Sequence, residues 1–284
     1  MKNVLRSLVY NGQVSLTLIN TTEIVKEGIK LHTLSTASGY VFGKALSAMT
    51  FMSACLKEDS GEISLSLKTA RECQEIAVSG NRALRMRGYI LNTQLSGGAD
   101  MQTEQRALGK DGSLTIIRDD GYSRPFVGAC ALPENGGIDA AFEEYYRISE
   151  QLPTYIATDV KFIDGECAFA GVAVLQPLPF ADEQTLERVR AFDLTKLLAQ
   201  MQQNSVEEAA RVYFERDENV WETRKAVYKC NCSRRYLTRV LVSLVEEQLR
   251  EIIKEEGAAR IHCHYCNTDY EFTEKDADEL FSRS

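Results

Sequence analysis

The sequence predicts an α+β fold: an N-terminal domain with a mixed, largely antiparallel sheet and packed helices, then a helical linker, then a small C-terminal domain. Three observations lead to this prediction. Short runs of alternating apolar residues follow one another through the first 178 residues with few helices between them, as in antiparallel sheets. That strand pattern stops at a proline-rich stretch, PLPFADE, at 177–183. Four of the eight cysteines then lie in the last fifth of the chain.

The composition is that of a folded protein, with 44% hydrophobic and 26% charged residues. Its 33 basic and 41 acidic side chains give a net charge of −8, which argues against a nucleic-acid binder, because phosphate binding needs a basic face. No run approaches the roughly 18 apolar residues that cross a bilayer, and the first residues lack the apolar core of a signal peptide. We therefore expect a cytoplasmic protein that binds neither nucleic acid nor membrane.

We predict the N-terminal domain over residues 1–178. It begins with a hairpin whose two strands turn on Asn11-Gly12, a strong hairpin signal. Helices are expected at 21–32 and at 35–58, and the second is rich in small and apolar residues, so it should be buried on most sides. One more helix is expected at 137–152, and strands are expected at 3–10, 13–20, 62–69, 72–79, 83–91, 113–120, 155–162 and 167–176.

We predict the linker over residues 179–229. Pro177 and Pro179 interrupt any regular element, and no strand pattern is found after them. Helical periodicity returns at 183–203 and 205–222. These helices carry too little apolar surface to fold alone, so we expect them to pack against another part of the chain.

The C-terminal domain is predicted over residues 230–284. Ser233 can cap a first helix, and the pair Ser243 and Glu246 forms a capping-box pattern for a second helix that ends at Gly257. Two short strands, at 259–263 and 269–272, then read as a hairpin, and Thr273 can cap a final helical turn.

Four cysteines of this last domain are spaced like metal ligands. A reducing compartment keeps thiols free, so clustered cysteines there indicate metal binding or redox chemistry. The pairs Cys230-x-Cys232 and Cys263-x-x-Cys266 would supply four thiolates to one tetrahedral Zn²⁺ in the reduced protein. Such a site is saturated and leaves no position for catalysis, so we expect a stabilising metal and no enzyme.

Other residues near these pairs are weaker candidates. His262 and His264 flank Cys263, but in a strand they point away from the face that Cys263 uses, so solvated imidazoles are the simpler interpretation. The cations Lys229, Arg234 and Arg235 would favour the thiolate form, although a solvated helix face explains them equally well. The remaining cysteines, expected to be small buried hydrophobic residues, are Cys55, Cys73, Cys130 and Cys167.

The spacing also indicates a redox response. Thiolates are the form that reacts with oxidants, and each of the four cysteines has another within three residues to resolve an oxidised sulfur. Oxidation would destroy the ligands, release zinc and remove roughly 10 kcal/mol or more of metal-binding free energy. The small domain should then unfold, and the helices before it should lose support.

The pattern CNCSRRYL, a gap of about thirty residues, and IHCHYCNTDYEF resembles the zinc module of the bacterial redox-regulated chaperones of the 33-kilodalton chaperonin (heat-shock protein) family. The resemblance continues through YYRISEQLPTYIATDV, CAFAGVAVLQPLP and SGYVFGKAL, and it covers essentially the whole chain.

This resemblance implies a cytosolic, ATP-independent holdase that is inactive when reduced and zinc-bound. It implies that oxidation forms the disulfides Cys230–Cys232 and Cys263–Cys266, that zinc leaves, and that the linker unfolds to expose apolar surface. It further implies that unfolding client proteins bind that surface, that the oxidised protein forms a homodimer, and that clients pass to ATP-dependent foldase chaperones.

Two other classes stay open on the sequence. A constitutive structural-zinc module that binds RNA or a protein partner would use the same cysteines, although acidic and basic side chains nearly balance over 221–284. A thiol oxidoreductase would use Cys263 and Cys266, but its Cys-x-x-Cys motif should open a helix after a strand, whereas this pair lies between two predicted strands.

Overall fold

The computed structural model describes residues 2–134, 137–214, 222–242 and 246–281. They fall into two compact units, residues 1–229 and residues 230–284. Trp221 and the capping box predicted at Ser243 lie outside the described residues. None of the helices in the described ranges has the length and the apolar content that a bilayer-spanning segment needs.

Two sheets form the framework of the first unit. The first sheet contains, in spatial order, β10 (Glu222–Arg224), β1 (Val4–Val9), β2 (Val14–Asn20), β9 (Glu166–Pro177) and β8 (Tyr155–Ile163). The second contains β11 (Val227–Tyr228), β5 (Arg85–Ile90), β4 (Glu75–Asn81), β3 (Glu62–Lys68), β6 (Ser113–Asp119) and β7 (Phe126–Ala131). Every pairing is antiparallel except that of β11 with β5. The predicted α+β class with a largely antiparallel sheet is confirmed.

Helix α2 (Thr36–Ala54) lies at the centre of the main core and is buried from Ala37 to Ala54, as its small and apolar residues predict. Gly43 shows why the small residues matter: a Cβ there would lie 2.9 Å from Val25 and 3.0 Å from Val160. The glycine therefore lets α2 approach both its neighbouring helix and β8. The other helices of this core are α1 (Thr22–His32), α3 (Met101–Leu108) and α4 (Ile138–Tyr145), which continues as a turn of π-helix (Tyr146–Glu150).

A second core fills the opposite face of the first sheet. Helices α5 (Glu183–Ala191), α6 (Thr195–Met201) and α7 (Val206–Tyr213) bury their apolar sides there. The sheet residues beneath them include Leu5, Leu16 and Leu18, all fully buried. The prediction that these helices pack against another part of the chain is confirmed. The run predicted as one helix over 183–203 is two helices, because Phe192 adopts an extended conformation after α5. Asp193 then accepts hydrogen bonds from the Thr195 N–H (3.0 Å) and hydroxyl (2.6 Å) where α6 begins.

Several elements differ from the sequence prediction. The prediction of no strand within the linker, residues 179–229, is wrong, since β10 and β11 extend the edges of the two sheets; at three and two residues they are too short to show alternation. The helix predicted over 205–222 ends at Tyr213, and Glu222 belongs to β10. Helix α3 and strand β7 were not predicted. Strand β7 is an edge strand with Phe126 and Val127 both exposed, so it lacks the usual apolar alternation.

The scattered cysteines behave largely as expected. Cys73, Cys130 and Cys167 are buried, and Cys55 is partly buried. Burial raises the pKa of Cys73 to about 12 and that of Cys167 to about 11. These thiols stay protonated at neutral pH and are poor nucleophiles.

A buried charge cluster ties three helices and a strand together. Lys44 of α2 lies 2.7 Å from the Glu104 carboxylate of α3 and 3.6 Å from Asp139 of α4. Glu104 also accepts a hydrogen bond from the Ile138 N–H, and Asp139 accepts one from the Thr158 N–H of β8. Burial alone would lower the pKa of Lys44, but the two carboxylates raise it above its usual value, so the lysine stays charged.

We predict that Lys44→Met destabilises the first unit strongly. The side chains of Lys44 and Glu104 are 3% and 0% exposed, so removing the cation leaves a buried carboxylate unpaired, at a cost of about 3–5 kcal/mol. Urea unfolding followed by circular dichroism measures the loss. Lys26→Met is the matched control, because its partner Glu23 is exposed and such pairs contribute less than about 1 kcal/mol. Equal stability of the Lys44 and Lys26 variants would contradict the prediction.

Candidate metal centre

The first cysteine pair lies in the short loop before helix α8 (Arg234–Val242). Ser233 caps this helix, as predicted, with its hydroxyl accepting a hydrogen bond from the Tyr236 N–H at 3.1 Å. The Cys232 N–H donates to Cys230 Sγ at 3.5 Å. The cap and this bond together fix the direction of the loop, so that both sulfurs can point to one side.

The second pair lies at the end of the predicted hairpin, now β12 (Ala259–Cys263) and β13 (Thr268–Phe272). Cys263 stands opposite Thr268 in the register, and Cys266 lies in the turn with its N–H donating to the Cys263 carbonyl at 3.3 Å. Asn267 has φ +52°, a left-handed conformation that asparagine tolerates and that closes the turn.

All four sulfurs converge. The Sγ atoms of the four cysteines lie within 4.8 Å of one another. Cys230 Sγ is 3.8 Å from Cys263 Sγ, and Cys232 Sγ is 3.1 Å from Cys266 Sγ, so each close pair joins the loop to the hairpin. A tetrahedron with Zn–S bonds of about 2.3 Å has edges of about 3.8 Å. The residues fit a metal ion, and a set of four thiolates is one that zinc takes in structural sites.

Two hydroxyl groups of β13 border the sulfurs. Tyr270 Oη lies 3.3 Å from Cys232 Sγ, and Thr268 Oγ1 lies 3.3 Å from Cys266 Sγ. Residues two apart in a strand share a face, so β13 presents both hydroxyls to the cluster. The sequence reasoning passed over both residues, although alternation in the run Thr268-Asp269-Tyr270 after the cysteines could have indicated them.

The thiols of the cluster differ in acidity. Burial raises the pKa of Cys266 to about 11 and raises that of Cys230 further. Burial would also raise the pKa of Cys232, but hydrogen bonds with Tyr270 and with neighbouring cysteines bring it below its usual value. A bound cation supplies the positive charge that allows all four thiols to lose their protons, which couples metal binding to pH.

The histidines lie outside the cluster. His262 Nδ1 is 2.7 Å from the Asp269 carboxylate, on the face of the hairpin opposite to Thr268 and Tyr270. The rings of His262 and His264 pack edge to face at 5.0 Å. In the described ranges, the four cysteines are the group of potential ligands close enough to hold one ion.

The arginine next to the first pair has a structural role that the sequence did not indicate. The Arg234 guanidinium donates to the Glu271 carbonyl and to the Asp276 carboxylate, each at 2.6 Å, and lies over the Phe272 ring at 4.4 Å. It therefore fastens α8 to the hairpin and to helix α10 (Glu274–Phe281).

The domain around the cluster has a small core. Six described residues are buried in it: Leu241, Leu249, Ile253, Ala259, Phe272 and Ala277. They come from α8, helix α9 (Glu246–Glu256), the hairpin and α10. Units with so little buried apolar surface usually need a disulfide or a metal to stay folded.

Comparison with known proteins gives a consistent picture. The model of the Hsp33 protein family matches residues 2–273. A 33 kDa chaperonin of Clostridium botulinum (strain Eklund 17B / Type B) is 30% identical over 293 residues, which covers 99% of this chain and 98% of that protein. A 33 kDa chaperonin of Bacillus cereus (strain AH187) is 29% identical over 290 residues, with 99% of both chains covered.

A solved structure shares the fold. The crystal structure of the 33 kDa chaperonin (heat shock protein 33 homolog) of Thermotoga maritima superposes with a TM-score of 0.83 over 100% of this chain and 99% of that one. The two sequences are 23% identical, so this likeness concerns the fold.

We predict that Cys232→Ser weakens zinc binding by about 100-fold. Structural zinc contributes about 12 kcal/mol through four ligands, so one ligand accounts for roughly 3 kcal/mol. Competition with a chromophoric chelator measures the affinity. Cys55→Ser is the control, because Cys55 belongs to the other compact unit and should leave the affinity unchanged. Equal zinc affinity of the Cys232 variant and the unaltered protein would contradict a four-cysteine site.

Proposed function

Because the chain belongs to the Hsp33 family, whose curated relatives are named chaperonins, we propose that it is a redox-regulated, ATP-independent holdase. The single observation that carries this proposal is the convergence of four thiols, two from a loop and two from a hairpin, in a domain with a small core. A fold held by oxidisable ligands can be released by an oxidant. No catalytic activity is part of the proposal.

In the reduced state the ligands of one Zn²⁺ would be Cys230, Cys232, Cys263 and Cys266. Zinc when bound supplies positive charge and four bonds that join the loop to the hairpin, with no open position for chemistry. The chain's own residues keep the sulfurs together: Ser233 holds the loop end, and Arg234 fastens α8 to the hairpin and α10.

In the oxidised state the disulfides would be Cys230–Cys232 and Cys263–Cys266. A thiolate attacks a peroxide oxygen and the O–O bond breaks. Hydroxide departs, and the cysteine becomes a sulfenic acid. The neighbouring thiolate attacks that sulfur and displaces a second hydroxide, so each peroxide takes two electrons. The two close sulfur contacts run between the loop and the hairpin, not within each pair. Forming both disulfides therefore breaks the connections on which the cluster depends.

We divide the chain functionally into the core domain 1–178, the metastable linker 179–229 and the redox-switch domain 230–284. The linker helices α5–α7 cover one apolar face of the first sheet, which includes Leu5, Leu16 and Leu18. The end of the linker is attached through strands of only three and two residues. Unfolding of the switch domain would free this end, and departure of the linker would expose the apolar face to clients.

The partners follow from this activity. Unfolding client proteins would bind the exposed face, the oxidised protein would form a homodimer, and ATP-dependent foldases would receive the clients. The proposed location is the cytoplasm, where reductants return the thiols to the zinc-binding form. Neither nucleic acid nor membrane takes part.

The test is to oxidise zinc-loaded protein with hydrogen peroxide or hypochlorous acid and to follow three signals together. Zinc release, Trp221 fluorescence and suppression of the aggregation of a denatured client should change in parallel and reverse with a thiol reductant. A reduced protein that already suppresses aggregation fully would favour the constitutive zinc module instead. Zinc retained after complete thiol oxidation would exclude the switch.

We also predict that Asn3→Ala lowers the oxidant threshold. The Asn3 side chain holds the linker backbone at two points, accepting from the Ala226 N–H at 2.8 Å and donating to the Ala226 carbonyl at 3.2 Å. Ala226 is buried, so losing the partner leaves its polar groups unsatisfied at a cost of about 1–3 kcal/mol. Hydrogen exchange of the amides of β11 should accelerate by about tenfold or more.

The control for this prediction is Asn204→Ala. The Asn204 side chain is exposed and bonds Gln200 one helical turn earlier, so its loss should leave both the exchange rates and the threshold unchanged. Unaltered exchange in the Asn3 variant would show that this clamp does not hold the linker.

A further inference from the structure

We propose that the Tyr270 hydroxyl donates a hydrogen bond to the Cys232 thiolate, and that this bond both strengthens metal binding and slows the oxidation of that sulfur. The proposal rests on the proposed function where it concerns oxidation, and on the candidate metal site alone where it concerns metal binding. Tyr270 acts through Cys232 and is not itself a ligand.

The geometry supports a single, directed bond. Tyr270 Oη is 3.3 Å from Cys232 Sγ, and among the described residues Cys232 is the hydrogen-bond partner of this hydroxyl. A thiolate has no proton, so once Cys232 binds a metal the hydroxyl is the donor. The tyrosine ring packs against the core of the domain, which holds the hydroxyl in position.

The second hydroxyl near the cluster is placed differently. Thr268 Oγ1 lies 3.3 Å from Cys266 Sγ but also 3.2 Å from the Cys266 carbonyl oxygen. The hydroxyl donates its one proton to the carbonyl and accepts from the Cys266 S–H, so it gives the sulfur less stabilisation than Tyr270 gives Cys232. The two hydroxyls on one face of β13 are therefore unequal donors, and Thr268 serves as an internal comparison.

The chemical consequence follows from charge. Four thiolates around one Zn²⁺ leave net negative charge on the sulfurs, and a hydrogen bond to one sulfur withdraws electron density from it. Removing a group that hydrogen-bonds to a metal ligand typically lowers metal affinity by about 10–100-fold. The same withdrawal makes the sulfur a weaker nucleophile toward a peroxide oxygen, where the attack breaks the O–O bond and releases hydroxide.

The variant Tyr270→Phe isolates the hydroxyl, because it keeps the ring and its packing. We expect zinc affinity to fall by about tenfold, by competition with a chromophoric chelator. In the Co²⁺-loaded protein the sulfur-to-metal charge-transfer band should move to lower energy, since an electron-rich thiolate is more easily oxidised. The rate of metal release by hydrogen peroxide should rise severalfold. The charge-transfer band reports on the electron density of the sulfur, so a variant that only loosened the packing of the domain would leave the energy of the band unchanged.

Thr268→Val is the matched control, since it removes a hydroxyl from the same face of the same strand. It should shift the Co²⁺ band and the zinc affinity less than Tyr270→Phe does. An unshifted band with unaltered zinc affinity in Tyr270→Phe would overturn the proposal. So would equal effects of the two substitutions.

The zinc-loaded, unaltered protein provides a test that requires no variant. During treatment with limiting hydrogen peroxide, a sulfenic-acid trapping reagent and mass spectrometry identify the first cysteine to react. We expect Cys232 not to be the first, and its being the first would overturn the proposal. Failure of the holdase proposal would appear separately, as zinc retention or absent client protection in the fully oxidised protein, and would leave the Co²⁺ and affinity results standing.

Discussion

The meeting of four sulfurs from two distant segments is the constraint on which the C-terminal domain depends. The loop with Cys230 and Cys232 and the hairpin with Cys263 and Cys266 are separated in the chain by α8 and α9. The small core of the domain has six buried residues. Four thiolates brought together without a cation repel one another. A metal ion bound by these four sulfurs would couple its own binding to the folding of this domain, and any reaction that consumes the sulfurs would act directly on the fold.

The first unit is stabilised mainly by buried apolar side chains. Its main core surrounds α2 and draws residues from most elements of the first 178 residues. The buried ion pairs of Lys44 add a polar connection within it. The second core, beneath α5–α7, is smaller and lies on the other face of the first sheet. The apolar residues that α5–α7 cover thus belong to a separate cluster, whereas Ala226 and Tyr228, near the end of the linker, pack on the main core.

The sequence predicted those features that repeat along the chain. Alternation identified most strands, including β12 and β13, and cysteine spacing identified the four sulfurs that the structure brings within 4.8 Å. Features that depend on contacts between distant residues were not accessible. Strands β10 and β11 exist because sheet edges accept them, and the role of Arg234 depends on Asp276, which lies 42 positions later. Tyr270 becomes notable only when the hairpin register places it beside Cys232.

Strands β10 and β11 have a consequence for the chemistry of the two sheet edges. They pair with β1 and β5, which would otherwise be the outermost strands on that side of each sheet. An uncovered outer strand presents a row of free backbone N–H and carbonyl groups that pair with almost any extended peptide, whatever its side chains. Residues 222–228 thus act like a bound peptide that pairs with the outer edges of β1 and β5. The backbone groups of those edges stay hydrogen-bonded only while this segment is in place.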